Sequence, residues 1–277
     1  MFNSKGEILQ VSRAKLAIQS ANNIWGVCGR DCAVIATRVN STNDRPGHDI
    51  LEDKIYKIND QIVVGCAGIV ADVNFLVDQM RLIAQRYKCC YGSSIPVEIL
   101  VKNICDIKQA YTQYANRRPF GVAIIYIGYD RHQQFQLYKS EPGGSYDNWY
   151  GTCVGENPLL CLSIINTLYD RCRGSVIDIK TACDIAINTF LHLNDWNCLN
   201  GSNTETCFEK VKVVVISLEN NTPTIKFLSK DDIEKIFSKV SGVFTPVRCL
   251  MYATMPPEDK RRKDRRRFSS DCHKERK

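Results

Sequence analysis

Long apolar runs are missing from this sequence: none approaches the roughly 20 residues that a membrane-spanning helix needs. Residues 1–6 also lack the basic and then apolar build of a secretory signal peptide. These two absences exclude an integral membrane protein and a secreted protein. We therefore expect a protein that stays inside the cell and has no membrane partner.

Metal-binding patterns are missing as well, although the chain contains 14 cysteines. The closest pairs are Cys28 with Cys32 and the adjacent Cys89 and Cys90, and neither pair is matched by a second cysteine or histidine pair at the spacing of a zinc site. The other cysteines are scattered, unlike the disulfide framework of a small secreted domain. The sequence predicts reduced thiols that act as small buried apolar groups, and no metal or other cofactor.

Positive charge is scarce outside the C-terminal end of the sequence. Of the net charge of +7, the last twenty residues contribute ten Lys or Arg against five Asp or Glu, or +5, which leaves +2 for the rest. A broad basic face that would neutralise many phosphates is therefore excluded. We expect no nucleic-acid partner for the folded part of the chain.

The C-terminal end carries one dense basic cluster. Its members are Lys260, Arg261, Arg262, Lys263, Arg265, Arg266 and Arg267. Such a cluster is typical of a nuclear-localisation signal or of loose binding to polyanions. The alternative is a solvated, disordered tail. We predict a folded domain over residues 1–241 and an extension with this basic tail over residues 242–277.

Apolar periodicity predicts blocks of strands that alternate with pairs of helices. We predict helices at residues 10–21, 71–91, 97–111, 159–170, 177–193 and 231–240, and strands at 24–28, 32–37, 61–68, 120–129, 134–139, 149–154, 210–217 and 224–228. This order fits two stacked antiparallel sheets with helices on both outer sides better than a doubly wound parallel sheet. The predicted fold is an α/β (α+β) four-layer αββα sandwich.

Several segments resemble a known family. They are residues 6–14, 53–58, 67–72, 81–87, 105–113, 118–122 and 135–138. Together they resemble the α-type subunits of the proteasome core particle, and the stretch 105–113 is most similar to the type-4 α subunits. The resemblance covers about residues 2–240.

This resemblance implies a structural role and a set of partners. It implies the Ntn-hydrolase type of sandwich, packed beside other α subunits in a ring that contacts β subunits and receives the C-termini of a regulatory particle. The β subunits carry out proteolysis in ATP- and ubiquitin-dependent protein degradation. The implied protein is a non-catalytic structural and gating subunit of the cytoplasm and nucleus.

Proteolytic members of this superfamily use an N-terminal Thr, Ser or Cys, whose amino group acts as base, with a nearby Lys and Asp. Here the segment that matches the nucleophile's strand begins at Asn22, behind an N-terminal extension. The matching acidic position is Arg38 and the matching lysine position is Asp53. The resemblance thus implies no catalytic residue. Cys28 and Ser20 are the nearby alternatives, but the chain would have to be cleaved before either became an N-terminal nucleophile.

One binding site is implied by the resemblance. Lys54 matches the lysine that faces a regulatory particle's C-terminal carboxylate in a pocket between neighbouring α subunits, and Ala21 and Ile8 are further candidates for this pocket. An ammonium facing a carboxylate makes a charge-assisted contact. The alternative is that Lys54 is one more solvated lysine, like Lys57.

The N-terminal segment departs from the family pattern. Ser4 stands in place of a proline, and Gln10 and Val11 are followed by Ser12 and Arg13 instead of an acidic residue and a tyrosine. The proline would fix a backbone φ and the tyrosine would supply a packing ring, so their loss puts normal gating by this subunit in doubt.

Three alternatives to a normal α subunit stay open. They are a divergent paralogue outside the proteasome that acts as a basic-tail interaction protein, an Ntn-type threonine or cysteine hydrolase, and a truncated gene model.

Overall fold

We describe a computed structural model of the chain. The structure describes residues 3–4, 6–38, 54–114, 116–172, 176–193, 211–220 and 222–241. Asp53, the extension 242–277 and its basic cluster lie outside the described residues. The predictions made for them, and the domain division itself, therefore stay predictions.

The described helices match the apolar periodicity of the sequence. They are α1 (Leu9–Gln19), α2 (Val70–Tyr91), α3 (Val97–Gln113), α4 (Pro158–Arg171), α5 (Ile179–Leu193) and α6 (Lys230–Ser241). Helix α2 ends at Gly92, whose left-handed φ of 68° is a common way to terminate a helix. Helix α4 begins with Pro158, which lacks the N–H that would be unpaired in a first turn. None of the described helices is long and apolar enough to cross a bilayer.

The described strands form two antiparallel sheets. The strands are β1 (Ile24–Cys28), β2 (Cys32–Arg38), β3 (Ile55–Lys57), β4 (Ile62–Gly68), β5 (Val122–Asp130), β6 (Gln134–Ser140), β7 (Tyr146–Asn148), β8 (Gly151–Val154), β9 (Val211–Glu219) and β10 (Thr222–Phe227). The first sheet has the order β10-β9-β2-β1-β8, and the second has the order β3-β4-β5-β6-β7. Helices α4 and α5 pack on the first sheet and α2 and α3 on the second. The predicted four-layer αββα sandwich is confirmed.

Strand β5 shows why the central strands are continuous apolar runs in the sequence. Ala123, Ile125 and Ile127 belong to the core between the two sheets. Ile124 and Tyr126 belong to the core between the second sheet and helices α2 and α3. Because successive side chains point to opposite faces, a strand that is buried on both faces must be apolar at nearly every position.

The other helical layer is anchored by a tryptophan. Trp25 of β1 is 1% exposed, and its Nε1 donates a hydrogen bond to the carbonyl oxygen of Ala186 in α5 at 3.0 Å. Its ring also stacks on Phe190, with 6.3 Å between the ring centroids. Burial of the ring and a partner for its N–H together fix α5 on the first sheet.

Two short strands were not predicted from the sequence. Strand β3 pairs with β4, and Tyr56 lies opposite Val64. Strand β7 pairs with β6, and Asp147 lies opposite Lys139. Both are three-residue edge strands that bury little apolar surface, so the alternation that marks a longer strand is missing.

Candidate functional site

The start of strand β1 is the position where the superfamily resemblance would place a nucleophile. Asn23 precedes β1, and its carbonyl oxygen accepts hydrogen bonds from the N–H of Arg38 and from Oγ1 of Thr37, both at 3.2 Å. Asn22 and Asn23 are joined by peptide bonds to helix α1 upstream. Neither side chain offers a hydroxyl or thiol, and neither residue has a free amino group to act as base.

The alternative nucleophiles near this point are poorly placed for chemistry. The Cys28 thiol is buried, and burial raises its pKa to about 12, so it stays protonated at neutral pH. The hydroxyl of Ser20 donates to the carbonyl oxygen of Ala17 at 2.8 Å, as a local bond at the end of α1. Arg38, which the resemblance matches to the acidic position, is the last residue of β2, and that match stays a prediction.

Helix α1 covers the open end of the sandwich next to this point. Its buried residues are Ala14 and Ile18, and Ile18 is part of the core between the two sheets. On the rim, Nζ of Lys15 lies 2.7 Å from Oε2 of Glu141, which follows strand β6. This ion pair is half exposed and contributes little by itself, so apolar burial of Ile18 mainly holds α1 in place.

The turn between β8 and α4 receives the end of α1. Gly155 has a φ of +116°, and a Cβ there would lie 2.8 Å from the carbonyl oxygen of Asn22 and 2.9 Å from that of Ala21. The next residue, Glu156, donates its N–H to the carbonyl oxygen of Ala21 at 3.0 Å. Only glycine fits this backbone conformation and close approach. Helix α1 is thus joined to the sandwich at both its side and its end.

Two of the family-like segments meet in an ion pair whose carboxylate is buried and whose guanidinium is exposed. Asp72 of α2 is 6% exposed, and its two carboxylate oxygens each accept a hydrogen bond at 2.6 Å from the guanidinium of Arg118. Oδ2 of Asp72 also accepts the N–H of Gly121 at 3.0 Å. Burial by itself would raise the pKa of Asp72, but these bonds hold it below its ordinary value. The pair ties the start of α2 to the segment that enters β5.

A buried lysine lies behind the second sheet. Lys108 of α3 is fully buried, and its Nζ donates to the hydroxyl of Ser140 at 2.8 Å and to the carbonyl oxygen of Val122 at 3.2 Å. The hydroxyls of Ser140 and Tyr126 also lie within hydrogen-bond distance, at 3.1 Å. Desolvation lowers the pKa of Lys108 to about 8.

The burial of Lys108 was not predicted from the sequence. It follows Ile104 by four residues and Val101 by seven, so it lies on the predicted apolar stripe of α3. A lysine on such a stripe is the signal that could have revealed the buried polar cluster. The structure buries Lys108 and Thr112 on this face, whereas the predicted stripe residue Ile107 is only partly buried.

Comparison with known proteins agrees with this architecture. A model described as proteasome subunit matches residues 18–208. The chain belongs to the proteasome subunit family. Proteasome subunit alpha type-4 of Drosophila melanogaster is 37% identical over 88% of this chain and 89% of its own length. The type-4 subunit of Dictyostelium discoideum is 35% identical over 74% and 81%, and proteasome subunit alpha type-3 of Saccharomyces cerevisiae is 37% identical over 72% and 76%.

The predicted resemblance to proteasome α-type subunits of type 4 is confirmed by these relatives. The segments quoted for it have structural roles in the described part of the chain. Residues 67–72 and 118–122 are joined by the Asp72–Arg118 pair and by the bond from Ile69 N–H to the Gly121 carbonyl oxygen at 3.0 Å. Residues 105–113 form the half of α3 that carries Lys108.

The three residues predicted for the activator pocket are spread over the subunit. Ile8 and Ala21 flank the two ends of α1, which places them about 20 Å apart at 1.5 Å per residue. Lys54 precedes the edge strand β3, and its carbonyl oxygen accepts the N–H of Cys66 at 2.8 Å. One carboxylate therefore does not contact both Ile8 and Ala21 of the same chain. The pocket stays a prediction for an assembled proteasome ring.

The cysteines are mostly as the sequence predicted. Among the described residues all are free, and seven are buried: Cys28, Cys32, Cys66, Cys105, Cys153, Cys161 and Cys183. Cys89 and Cys90 are exposed at the end of α2, so the prediction that the cysteines are buried apolar groups is wrong for these two. Within the described ranges no group of three His, Cys, Asp or Glu side chains is arranged to hold a metal ion.

Proposed function

We propose that this chain is a non-catalytic α-ring subunit of a proteasome core particle, which supports the degradation of proteins by catalytic β subunits. The observation that carries the proposal is the closed start of β1. Asn22 and Asn23 offer no nucleophile, and α1 covers the position with Ile18 buried between the sheets. In this subunit a helix covers the start of β1, so the subunit contributes structure and contacts with other subunits to the particle.

Exposed apolar side chains support a role in assembly. On α1, Leu9 and Leu16 are 53% and 63% exposed, and on α2, Phe75 and Leu82 are 41% and 43% exposed. Subunits of obligate oligomers present such surfaces because their interfaces resemble a domain core cut in half. We expect these faces of α1 and α2 to pack against neighbouring subunits.

Co-sedimentation tests this proposal. The tagged full chain, recovered from native lysate, should migrate on a density gradient with proteasome β subunits and peptidase activity. A free basic-tail interaction protein would instead migrate as a small species whose binding to polyanions falls steeply with salt. Intact-mass analysis completes the experiment, because an active Ntn-type hydrolase would begin at Thr, Ser or Cys. Either of these results would overturn the assignment.

We further propose that Lys54 faces the C-terminal carboxylate of a regulatory particle in the assembled ring. Lys54→Ala should weaken docking of a peptide with a free C-terminal carboxylate by about 10- to 100-fold, since charge-assisted bonds contribute roughly 1.5–3 kcal/mol. The measurement is peptide-stimulated hydrolysis in reconstituted particles. Lys57→Ala is the matched control, because Lys57 lies in β3 and pairs with Asp60 at 2.8 Å. Equal effects of both substitutions would contradict a specific role for Lys54.

The subunit is proposed to work in the cytoplasm and the nucleus. The basic cluster at 260–267 supports this, since dense Lys and Arg clusters are typical of nuclear-import signals. Replacing its seven basic residues by Gln should shift a fluorescent fusion toward the cytoplasm. An unchanged distribution would show that the cluster is not the import signal.

A further inference from the structure

A small cavity opens on the outer face of the first sheet, beside the start of β1. Its volume is about 170 Å³, and it lies between the first turn of α4 and the last turn of α5. Helix α1 covers the other face of the sheet, where Ile18 enters the core between the two sheets. The cavity has an apolar wall, formed by Leu160, Phe190 and Leu193, and a polar rim that includes Asn23, Arg38 and Glu156.

The register of three strands brings a cation and an anion to the rim of this cavity. Ile24, the first residue of β1, pairs with the residues of β2 and β8 that directly precede Arg38 and Gly155. Asn23 therefore lies between Arg38 and Gly155, and the N–H of Arg38 donates to its carbonyl oxygen at 3.2 Å. Because neighbouring strands are about 4.8 Å apart, the backbones of Arg38 and Gly155 are separated by about 10 Å. The side chains of Arg38 and Glu156 are long enough to meet one small ligand between them.

The polar groups of the rim have hydrogen-bonding capacity left over. Oδ1 of Asn23 is buried and accepts no hydrogen bond from the described residues. Within the same part of the chain, neither the Arg38 guanidinium nor the Glu156 carboxylate forms a salt bridge. A buried oxygen without a donor costs free energy, so Oδ1 of Asn23 indicates a donor group that comes from outside these residues.

We propose that this cavity binds a free apolar α-amino acid of about the size of leucine. The carboxylate of the amino acid pairs with the guanidinium of Arg38, whose planar donors match a carboxylate. The ammonium donates hydrogen bonds to Oδ1 of Asn23 and to the carboxylate of Glu156. The side chain of the amino acid packs against the apolar wall and loses its contact with water.

The volume and the charges of the cavity select this class of ligand. An apolar cavity of roughly 150 Å³ holds a benzene-sized group, so this cavity has room for the side chain of leucine and not for a peptide chain. An inorganic anion would meet the carboxylate of Glu156, and a metal ion would meet the guanidinium of Arg38. Neither ion would cover the apolar wall. A small ligand with both charges and an apolar arm satisfies the whole cavity.

A series of related ligands tests the proposal in the full chain. In a saturation-transfer NMR titration, L-leucine should bind with a dissociation constant of about 1 mM or tighter, and its methyl protons should receive the most saturation. L-Leucinamide lacks the carboxylate and N-acetyl-L-leucine lacks the ammonium, so each should bind at least about 10-fold more weakly. Glycine, which lacks the side chain, should also bind more weakly. No saturation by L-leucine up to about 10 mM, or equal binding of L-leucinamide, would overturn the proposal.

Two variants assign the charged contacts of the amino acid. Arg38→Gln should weaken the binding of L-leucine about 10- to 100-fold and leave that of L-leucinamide nearly unchanged, because only L-leucine has the carboxylate. Glu156→Gln should weaken the binding of L-leucine and leave that of N-acetyl-L-leucine nearly unchanged. Both side chains are exposed, so the midpoint of denaturant unfolding without ligand should stay that of the parent.

A third variant is the matched control. Arg131 is an exposed arginine in the turn between β5 and β6, so Arg131→Gln removes the same charge away from the cavity. It should bind L-leucine as tightly as the parent. Equal weakening by Arg131→Gln and Arg38→Gln, or parental affinity for L-leucine in Arg38→Gln, would show that the amino acid does not bind at the start of β1.

Discussion

The full chain with Asp72→Ala should lose about 3 kcal/mol of unfolding free energy. The substitution removes a buried carboxylate that accepts three hydrogen bonds, and it leaves the N–H of Gly121 buried without that partner. The Arg118 side chain is 62% exposed and can be solvated again, so the loss comes from the hydrogen bonds of the carboxylate and not from an unpaired buried charge. The measurement is denaturant unfolding at neutral pH.

The pH dependence identifies the carboxylate as the source of this loss. The pKa of Asp72 is lower in the folded protein than its ordinary value of about 4. Its contribution is therefore fully present above about pH 4 and is lost as the pH falls through the folded pKa. The difference between the parent and Asp72→Ala should stay constant from neutral pH to mild acid and shrink below about pH 4.

A second carboxylate on the same helix provides the control. Asp78 also lies on α2, but it is 75% exposed and 4.0 Å from Arg81. Exposed pairs of this kind contribute at most about 1 kcal/mol, so Asp78→Ala should have little effect. Equal losses in the two variants would mean that the Asp72–Arg118 pair does not tie α2 to β5.

The long elements could be predicted because burial determines their sequence pattern. Helix α2 repeats apolar residues at helical spacing, and Val73, Leu76, Val77 and Met80 are all buried. Strand β5 is apolar because it lies between two cores. Strands β3 and β7 have no such pattern, because three-residue edge strands depend on a neighbouring strand more than on their own side chains.

For the candidate site, the sequence resemblance matches Asn22 to the start of the nucleophile's segment and Arg38 to the acidic position, and this match stays a prediction. The closure by α1 could not be predicted in the same way. It depends on Ile18 reaching the core between the sheets and on Gly155 approaching Ala21, and both contacts join residues far apart in the chain.

The buried lysine gives the other large expected effect. Lys108 is fully buried, and neither of its two hydrogen-bond partners, the Val122 carbonyl oxygen and the Ser140 hydroxyl, carries a charge. Its pKa is about 8 in the folded protein against an ordinary value of 10.5, a difference that corresponds to about 3 kcal/mol of unfavourable free energy for the buried ammonium at neutral pH. Methionine has a similar length and carries no charge, so Lys108→Met removes this penalty together with two hydrogen bonds.

The sign of the effect follows from proton binding. Between about pH 8 and 10.5 the unfolded chain binds more protons at Lys108 than the folded chain does, so the stability of the parent rises with pH relative to the variant. The unfolding free energy of Lys108→Met minus that of the parent should therefore be highest at neutral pH. This difference should fall by about 3 kcal/mol as the pH rises toward 10.5. Denaturant unfolding of both proteins at neutral and alkaline pH measures the change, with Lys102→Met on the exposed face of α3 as the matched loss of a lysine. A pH-independent difference between Lys108→Met and the parent would mean that the ammonium reaches solvent, and that the Ser140 cluster is not the desolvated site that its burial indicates.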